Sequence, residues 1–395
     1  MTTTTYSNCN MFDGTKDTLT DNAWFTVDAS TGRITATGTG TAPTTSDNTV
    51  DFHGKYVMPG LMNAHTHITS EPNSGSLDSK DTEAAATVRA INALHALLKS
   101  GVTYIRECGT GYDIDLTLVH EPRTGAMAHT PEMMPSGMAY SMTGGHGDSK
   151  HFGHRVDSPD EMRKKVRKGM KKGAMNIKVM ATGGVMTPDD FMDDAQLNVD
   201  EMHVAVEEAH KRGRTVAAHA EGNPGIMNAI KAGVDSVEHC FYVTDEEADM
   251  MIKQNTYLVA TMVADWAIPE YGPGKLPDWE VKKAADALDD LYHNIRRAWQ
   301  RGVKVALGTD AGTPFNDFSM TPKELELMVQ QGATPFEALR TSYNSAELMH
   351  LTQDYATLET GKFADFLVLD GNPLADVTAV QQEDKQVYKF GKREF

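Results

Sequence analysis

Cysteine is scarce in this chain: three among 395 residues, Cys9, Cys108 and Cys240, far apart and odd in number. That excludes a disulfide framework and a Cys-rich zinc site, and a reducing cytoplasm is the expected compartment. No run of about 18 apolar residues occurs, which excludes a membrane-spanning helix. The opening MTTTTYSNCNMFDG lacks the charged start and apolar stretch of an export signal. Cations are in deficit, 37 Lys and Arg against 55 Asp and Glu, for a formal charge of −18. A nucleic-acid-binding surface is therefore not expected, since phosphate would be repelled. The glycine-rich ATGGV at 181–185 lacks the spacing and the Lys-Ser/Thr of a phosphate loop. The basic run from Arg163 to Lys172 reads as the solvated face of a helix.

What is present divides into two patterns. Residues 1 to about 56 are rich in Thr, Gly, Asp and Asn and are broken by turn signals such as Asp13-Gly14 and Thr31-Gly32, which predicts short strands. From Val57 short apolar runs alternate with helical segments, the pattern of repeated βα units around a parallel barrel. Eight candidate strands lie in VMPGLMNAHTH, VTYIRECG, EMMPSGMAY, MNIKVMA, TVAAHA, SVEHC, TYLVATM and VKVALGTDA. Helices are predicted from Asp81 to Ser100 before Gly101, from Ser158 to Lys172 before Gly173, and from about Pro335 to His350. FADFLVLDGNPLADV and KQVYKF then read as strands. Two separate small β pieces would each bury too little to be stable, so the ends are expected to pair. The expected fold is α/β, a (β/α)8 TIM barrel over 57–355 inserted into a small β-sandwich built from 1–56 and 356–395.

Five strand-end segments carry ligand chemistry: NAHTH (His65, His67), NIKVMATGG (Lys178), VAAHA (His219), SVEHC (His239) and LGTDAG (Asp310). Four histidines and a carboxylate suit zinc, whose usual donors are neutral imidazole and carboxylate. His65 and Asp310 lie about 245 residues apart, close to the ~250 that a barrel uses, and barrel enzymes place chemistry at the C-terminal strand ends. Each residue has a duller reading: core histidines, a helix-capping aspartate, a lysine paired with a carboxylate. Four histidines each ending an apolar run make coincidence a poor explanation. Lys178 sits in an apolar strand where an ammonium is costly to bury. A neutral amine there can take up carbon dioxide to form a carbamate, an anionic group with two oxygens.

The stretch YVMPGLMNAHTHI, the IKVMATGGV segment, EHC, LGTDAG and the closing FADFLVLDGNPL together resemble the amidohydrolase superfamily, in its imidazolonepropionase-like and prolidase-like branch. The resemblance spans essentially the whole chain. Asn63 and Ala64 depart from it, since relatives often carry an acidic residue before the first histidine. The resemblance implies two divalent metal ions, zinc by preference. His65, His67 and Asp310 would hold one, His219 and His239 the other, and Lys178 as a carbamate would bridge them. Mononuclear members generally lack that lysine. It also implies that a bridging hydroxide attacks an amide carbonyl, with Asp310 taking the proton and passing it to the leaving amine.

The substrate would meet the loops above the strands. In SMTGGHGDSKHFGHR, His146, His151 and His154 are candidates, and in prolidase-like relatives a histidine in the Gly-Gly-His segment contacts substrate, which favours His146. Arg106, Tyr140, Tyr242 and Glu221 complete the substrate-binding candidates. Some relatives place an aromatic residue near Glu221, so a carboxylate here points to a cationic substrate group. The expected function is cleavage of a C–N amide bond in a small substrate, a Xaa-Pro-like dipeptide or an N-acyl amino acid. The alternatives are a cyclic amide, a urea or a carbamate, and, remotely, a non-catalytic barrel scaffold. Partners other than a small molecule, nucleic acid included, are not expected. Oligomeric state cannot be read from the sequence, and a homo-oligomer is compatible with it.

Overall fold

The structure, a computed structural model, describes residues 2–44, 46–72, 82–121, 126–187 and 189–395. Five N-terminal strands come first: β1 Thr3–Met11, β2 Thr20–Asp28, β3 Arg33–Thr39, β4 Asn48–Asp51 and β5 Tyr56–Pro59. The barrel follows with β6 Leu61–Thr66, β7 Val102–Glu107, β8 Glu132–Met134, β9 Ala139–Ser141, β10 Gly153–Arg155, β11 Asn176–Met180, β12 Thr215–Ala220, β13 Ser236–His239, β14 Tyr257–Val259 and β15 Val305–Ala306. The C-terminal strands are β16 Phe366–Leu369, β17 Gln386–Lys389 and β18 Lys392–Arg393.

The two ends do pair. β16 runs antiparallel to β5, and the sheet order is β18-β17-β16-β5-β1-β2-β3, with β4 beside β1. Phe25 on β2 and Phe366 on β16 are three strand spacings apart, roughly 14 Å in a flat sheet. Their ring centroids lie 5.1 Å apart, so the sheet folds over on itself as a sandwich. Tyr6, Phe52 and Tyr388 fill the same core, with Phe366 and Tyr388 stacked at 4.3 Å. The chain passes from this sheet to the barrel at Gly60, where a Cβ would meet Thr103 at 2.4 Å. Since β5 still belongs to the end sheet, we propose Gly60 as the domain boundary in place of 56/57.

Among the described residues, eight of these strands form the barrel wall: β6, β7, β8, β11, β12, β13, β14 and β15. β11 to β15 are continuously parallel, as are β6 to β8. Ala64 N donates to Leu307 O at 2.7 Å and Asp310 N to His65 O at 3.0 Å, which joins the last strand to the first. Asn176 N donates to Pro135 O at 3.1 Å and joins the third to the fourth. The segment EMMPSGMAY is two strands, because Pro135 and Gly137 interrupt it; β9 pairs with β10, and its one ladder pair with β11 is Tyr140 with Val179.

The outer helices begin and end where the capping residues predict. Glu83–Lys99 has Thr82 as N-cap, and its expected start at Asp81 lies outside the described residues. Pro159–Lys172 has Ser158 as N-cap and ends at Gly173 with φ 121°. Pro335–Leu348 opens with a capping box between Thr334 and Glu337. Among the described residues no helix is long and apolar enough to cross a membrane.

Candidate active site

Parallel register brings the ligand candidates to one end of the barrel. Lys178 pairs with Ala217, His219 with Met180, and His239 with Ala220, so all three approach the C-terminal mouth. His65 and His67, two apart at the end of β6, point the same way. Asp310 follows β15. His67, Lys178, His219, His239 and Asp310 line one pocket. His65 lies just beneath, fully buried, its Nε2 3.3 Å from both His67 Nε2 and Lys178 Nζ.

Hydrogen bonds fix which nitrogen of each ring is free. His65 Nδ1 lies 2.7 Å from Glu238 Oε2, and His67 Nδ1 lies 2.8 Å from the carbonyl of Gly109. Each Nδ1 is therefore the donor, and each Nε2 lone pair faces Asp310 Oδ1, at 3.1 and 2.9 Å. That oxygen is buried and has no hydrogen-bond partner. Three acceptors converging on one point repel one another unless a cation or a proton lies between them. His239 engages Thr261 Oγ1 through Nδ1 at 2.7 Å and keeps Nε2 for a ligand. His219 spends Nε2 on Gly183 O at 2.9 Å and keeps Nδ1. Burial holds His67, His219 and His239 below the usual imidazole pKa, so they are neutral, ligand-competent rings.

Lys178 is 1% exposed, and among the described residues no carboxylate lies within ion-pair distance of its Nζ. The paired-lysine reading fails for that reason. His65, His239 and Asp310 form a compact ligand triad, with donor atoms within 4.8 Å of one another. The donor set thus fits a borderline divalent ion such as zinc. A second cluster, His65 with Cys108 and Glu238, is a hydrogen-bonded floor instead. Burial pushes the Cys108 thiol up to about 12, which keeps it from being a thiolate ligand.

Backbone strain marks the same place. His239 (φ 72°) at the end of β13, and Thr261 (φ 50°) and Asp310 (φ 57°) in the segments that follow β14 and β15, are left-handed non-glycine residues. Such conformations cost of order 1–3 kcal/mol each and cluster where function imposes them.

His146 lines the pocket, its ring stacked on His219 with centroids 4.2 Å apart. Its Nδ1 lies 2.8 Å from Asp190 Oδ2, and Gln196 takes its backbone N–H and donates to Asp190 Oδ1. The committed ring nitrogen of His146 is Nδ1. Glu221 also lines the pocket. Arg106 and Tyr140, also substrate-binding candidates of the sequence, are not among the residues that line it. Arg106 is fully buried and bonds Ala64 O, Ser236 Oγ and Glu238 Oε1, so it holds the carboxylate that holds His65. Tyr140 sends its hydroxyl outward to Lys165 O at 3.4 Å. Tyr242 is half-buried, its N–H on Glu221 O, and is not among the pocket-lining residues. His151 stacks on Tyr112 and His154 lies tilted against Tyr140, and neither is among the pocket-lining residues.

Sequence reasoning missed Glu238, Asp190, Gln196 and Asp265. Glu238 had a signal, since a buried acid beside a ligand histidine is a natural orienting partner. If Asp190 positions His146, Asp190→Asn is expected to lower kcat/KM roughly 10–100-fold. Metal content, read by elemental analysis, should stay at the wild-type value.

Histidines, a lysine and an aspartate converging on the C-terminal mouth of a (β/α)8 barrel define a metal-dependent hydrolase class. The chain belongs to the amidohydrolase family, whose model matches residues 56–392, in its imidazolonepropionase-like and prolidase-like branch. Ochratoxinase of Aspergillus niger is 32% identical over 373 residues, covering 85% of this chain and 75% of that protein. A Xaa-Pro dipeptidase structure with methionine bound in its active site superposes with a TM-score of 0.91 at 28% identity, covering 99% of each chain. A prolidase complexed with N-methylphosphonate-L-proline gives 0.91 at 27%, again covering 99% of each.

Proposed function

We propose that this chain is a binuclear zinc amidohydrolase that cleaves the C–N bond of a small amide, a Xaa-Pro-like dipeptide or an N-acyl amino acid. The observation that carries this is the buried, unpartnered Asp310 Oδ1 facing two imidazole lone pairs, with Lys178 Nζ, which has no carboxylate partner among the described residues, 3.3 Å from His65 Nε2. His65, His67 and Asp310 would hold one ion and His219 with His239 the other, with Lys178 as a carbamate between them. Ions so held would acidify a water and polarise the scissile carbonyl.

The chain's own groups do the rest. Asp310 accepts the proton of the attacking water and returns it to the leaving amine. His146, braced by Asp190, offers Nε2 to the substrate beside the carbonyl. Glu238, itself fixed by Arg106 and Ser236, locks the tautomer of His65. Phe152, Met180, Val185 and Ile268 give the pocket apolar walls that exclude bulk water. Resemblance to a Xaa-Pro dipeptidase and a prolidase supports the dipeptide reading.

The test is a panel of dipeptides, N-acyl amino acids, cyclic amides, ureas and carbamates, assayed before and after chelation. Hydrolysis of linear amides should disappear with chelator and return with zinc. Activity confined to ureas or cyclic amides, or indifferent to chelation, would refute the reading.

A further inference from the structure

The pocket holds two carboxylates that the metal site does not use, Glu221 and Asp265. Glu221 is 5% exposed and lines the pocket, and its Oε2 is buried without a hydrogen-bond partner. Its Oε1 comes no closer than 3.8 Å to His219 Nε2, which is already committed to Gly183 O. Gly184 lets the chain pass close by, since a Cβ there would meet His146 at 2.6 Å and Glu221 Oε1 at 3.1 Å. A buried acceptor without a donor is costly, and a site that carries one is built for a ligand that supplies the donor.

The surroundings specify its charge. Asp265, 6% exposed, lines the same pocket. Asp190 is near but satisfied, both oxygens taken by His146 and Gln196. The nearest outer cation, Lys283, spends its ammonium on the carbonyls of Gly184, Thr187 and Asp190 at 2.9, 2.9 and 2.6 Å. Among the described residues no arginine lines the pocket, and its lysine is Lys178. Among the described lining residues no cationic side chain other than Lys178 is available to a substrate carboxylate, whereas Glu221 and Asp265 suit a donor of positive charge.

We propose that Glu221, seconded by Asp265, is the specificity determinant of this pocket and selects amides that carry a protonated amine near the scissile bond. The inference rests on the reading of the site as an amide hydrolase, and it narrows that reading. The amine has two chemical sources, the free α-ammonium of a dipeptide and a basic side chain.

Matched pairs on the metal-loaded protein separate these sources. Alanyl-methionine against propionyl-methionine differs by the α-ammonium alone; propionyl-lysine against propionyl-norleucine differs by the side-chain amine. Wild type should favour the cationic member of at least one pair by about tenfold or more in kcat/KM. In Glu221→Gln that ratio should fall to about two or less, and Asp265→Asn should lower it partially. The ratio is what is read, so a general loss of activity does not mimic the effect.

Binding without turnover supplies the second readout. Aminomethylphosphonyl-L-proline should bind about tenfold or more tightly than methylphosphonyl-L-proline, and Glu221→Gln should erase the difference. Equal preference within both substrate pairs and equal binding of the phosphonyl pair by wild type would overturn the proposal. So would a ratio unchanged in Glu221→Gln. Absence of turnover on every substrate, with the binding preference intact, would count against the amide-hydrolase reading and leave the cation subsite standing.

Discussion

Asp310→Asn is expected to leave a folded protein whose kcat/KM is lower by roughly three orders of magnitude or more. Asp310 combines two roles that an amide cannot fill. Its Oδ1 lies 2.9 and 3.1 Å from His67 and His65 and has no hydrogen-bond partner, so its negative charge completes the ligand set. In the proposed reaction it also carries a proton from water to the leaving amine, and Asn is not basic enough to do so. The backbone should tolerate the change, because Asn adopts the left-handed conformation at φ 57° about as readily as Asp. Circular dichroism and thermal unfolding close to wild type, with activity lost, would separate chemistry from folding. Retention of more than about a tenth of wild-type kcat/KM would remove Asp310 from the mechanism.

Lys178→Met should be comparably damaging by a different route. Methionine keeps most of the side-chain volume in a site that is 1% exposed, so a cavity is not the cause of the loss. What disappears is the amine that would become the bridging carbamate. The variant should retain less than the wild-type complement of metal, and its activity should fall by roughly 10³-fold, the scale of losing one of two catalytic ions. With Lys178→Ala, which leaves room, a small carboxylate such as acetate should restore part of the activity, since two oxygens on a mobile anion can replace those of the carbamate. Full activity in either variant would show that Lys178 is structural.

The convergence of the candidate ligand histidines was legible in the sequence because they lie at the ends of apolar runs, and strand ends at a barrel mouth share one destination. The pairing of the chain ends was legible because neither end buries enough alone, and the contact of Phe25 with Phe366 realises it. Orientation was harder. Arg106 read as a substrate contact, yet β7 turns it inward under the site, where Glu238 neutralises it. Alternation would set Glu238 and His239 on opposite faces, but the left-handed turn at His239 and the barrel's curvature let both serve the interior. Tyr140 read as lying near a barrel strand's end, yet its segment breaks at Pro135 and it faces the outer helix. The His146–Asp190–Gln196 brace joins residues up to 50 apart through two loops, and no periodicity encodes such a contact. The orphaned oxygen of Glu221 belongs to the same category, because only packing shows that nothing in the chain pairs with it.

The central claim is a two-ion site bridged by a modified Lys178. The direct measurement is the metal content per chain, by elemental analysis, of protein reconstituted with zinc and bicarbonate and freed of excess metal. The account predicts two ions per wild-type chain and a lower value in Lys178→Met. A wild-type value of one or fewer, or a value of two that is unchanged in Lys178→Met, would contradict it.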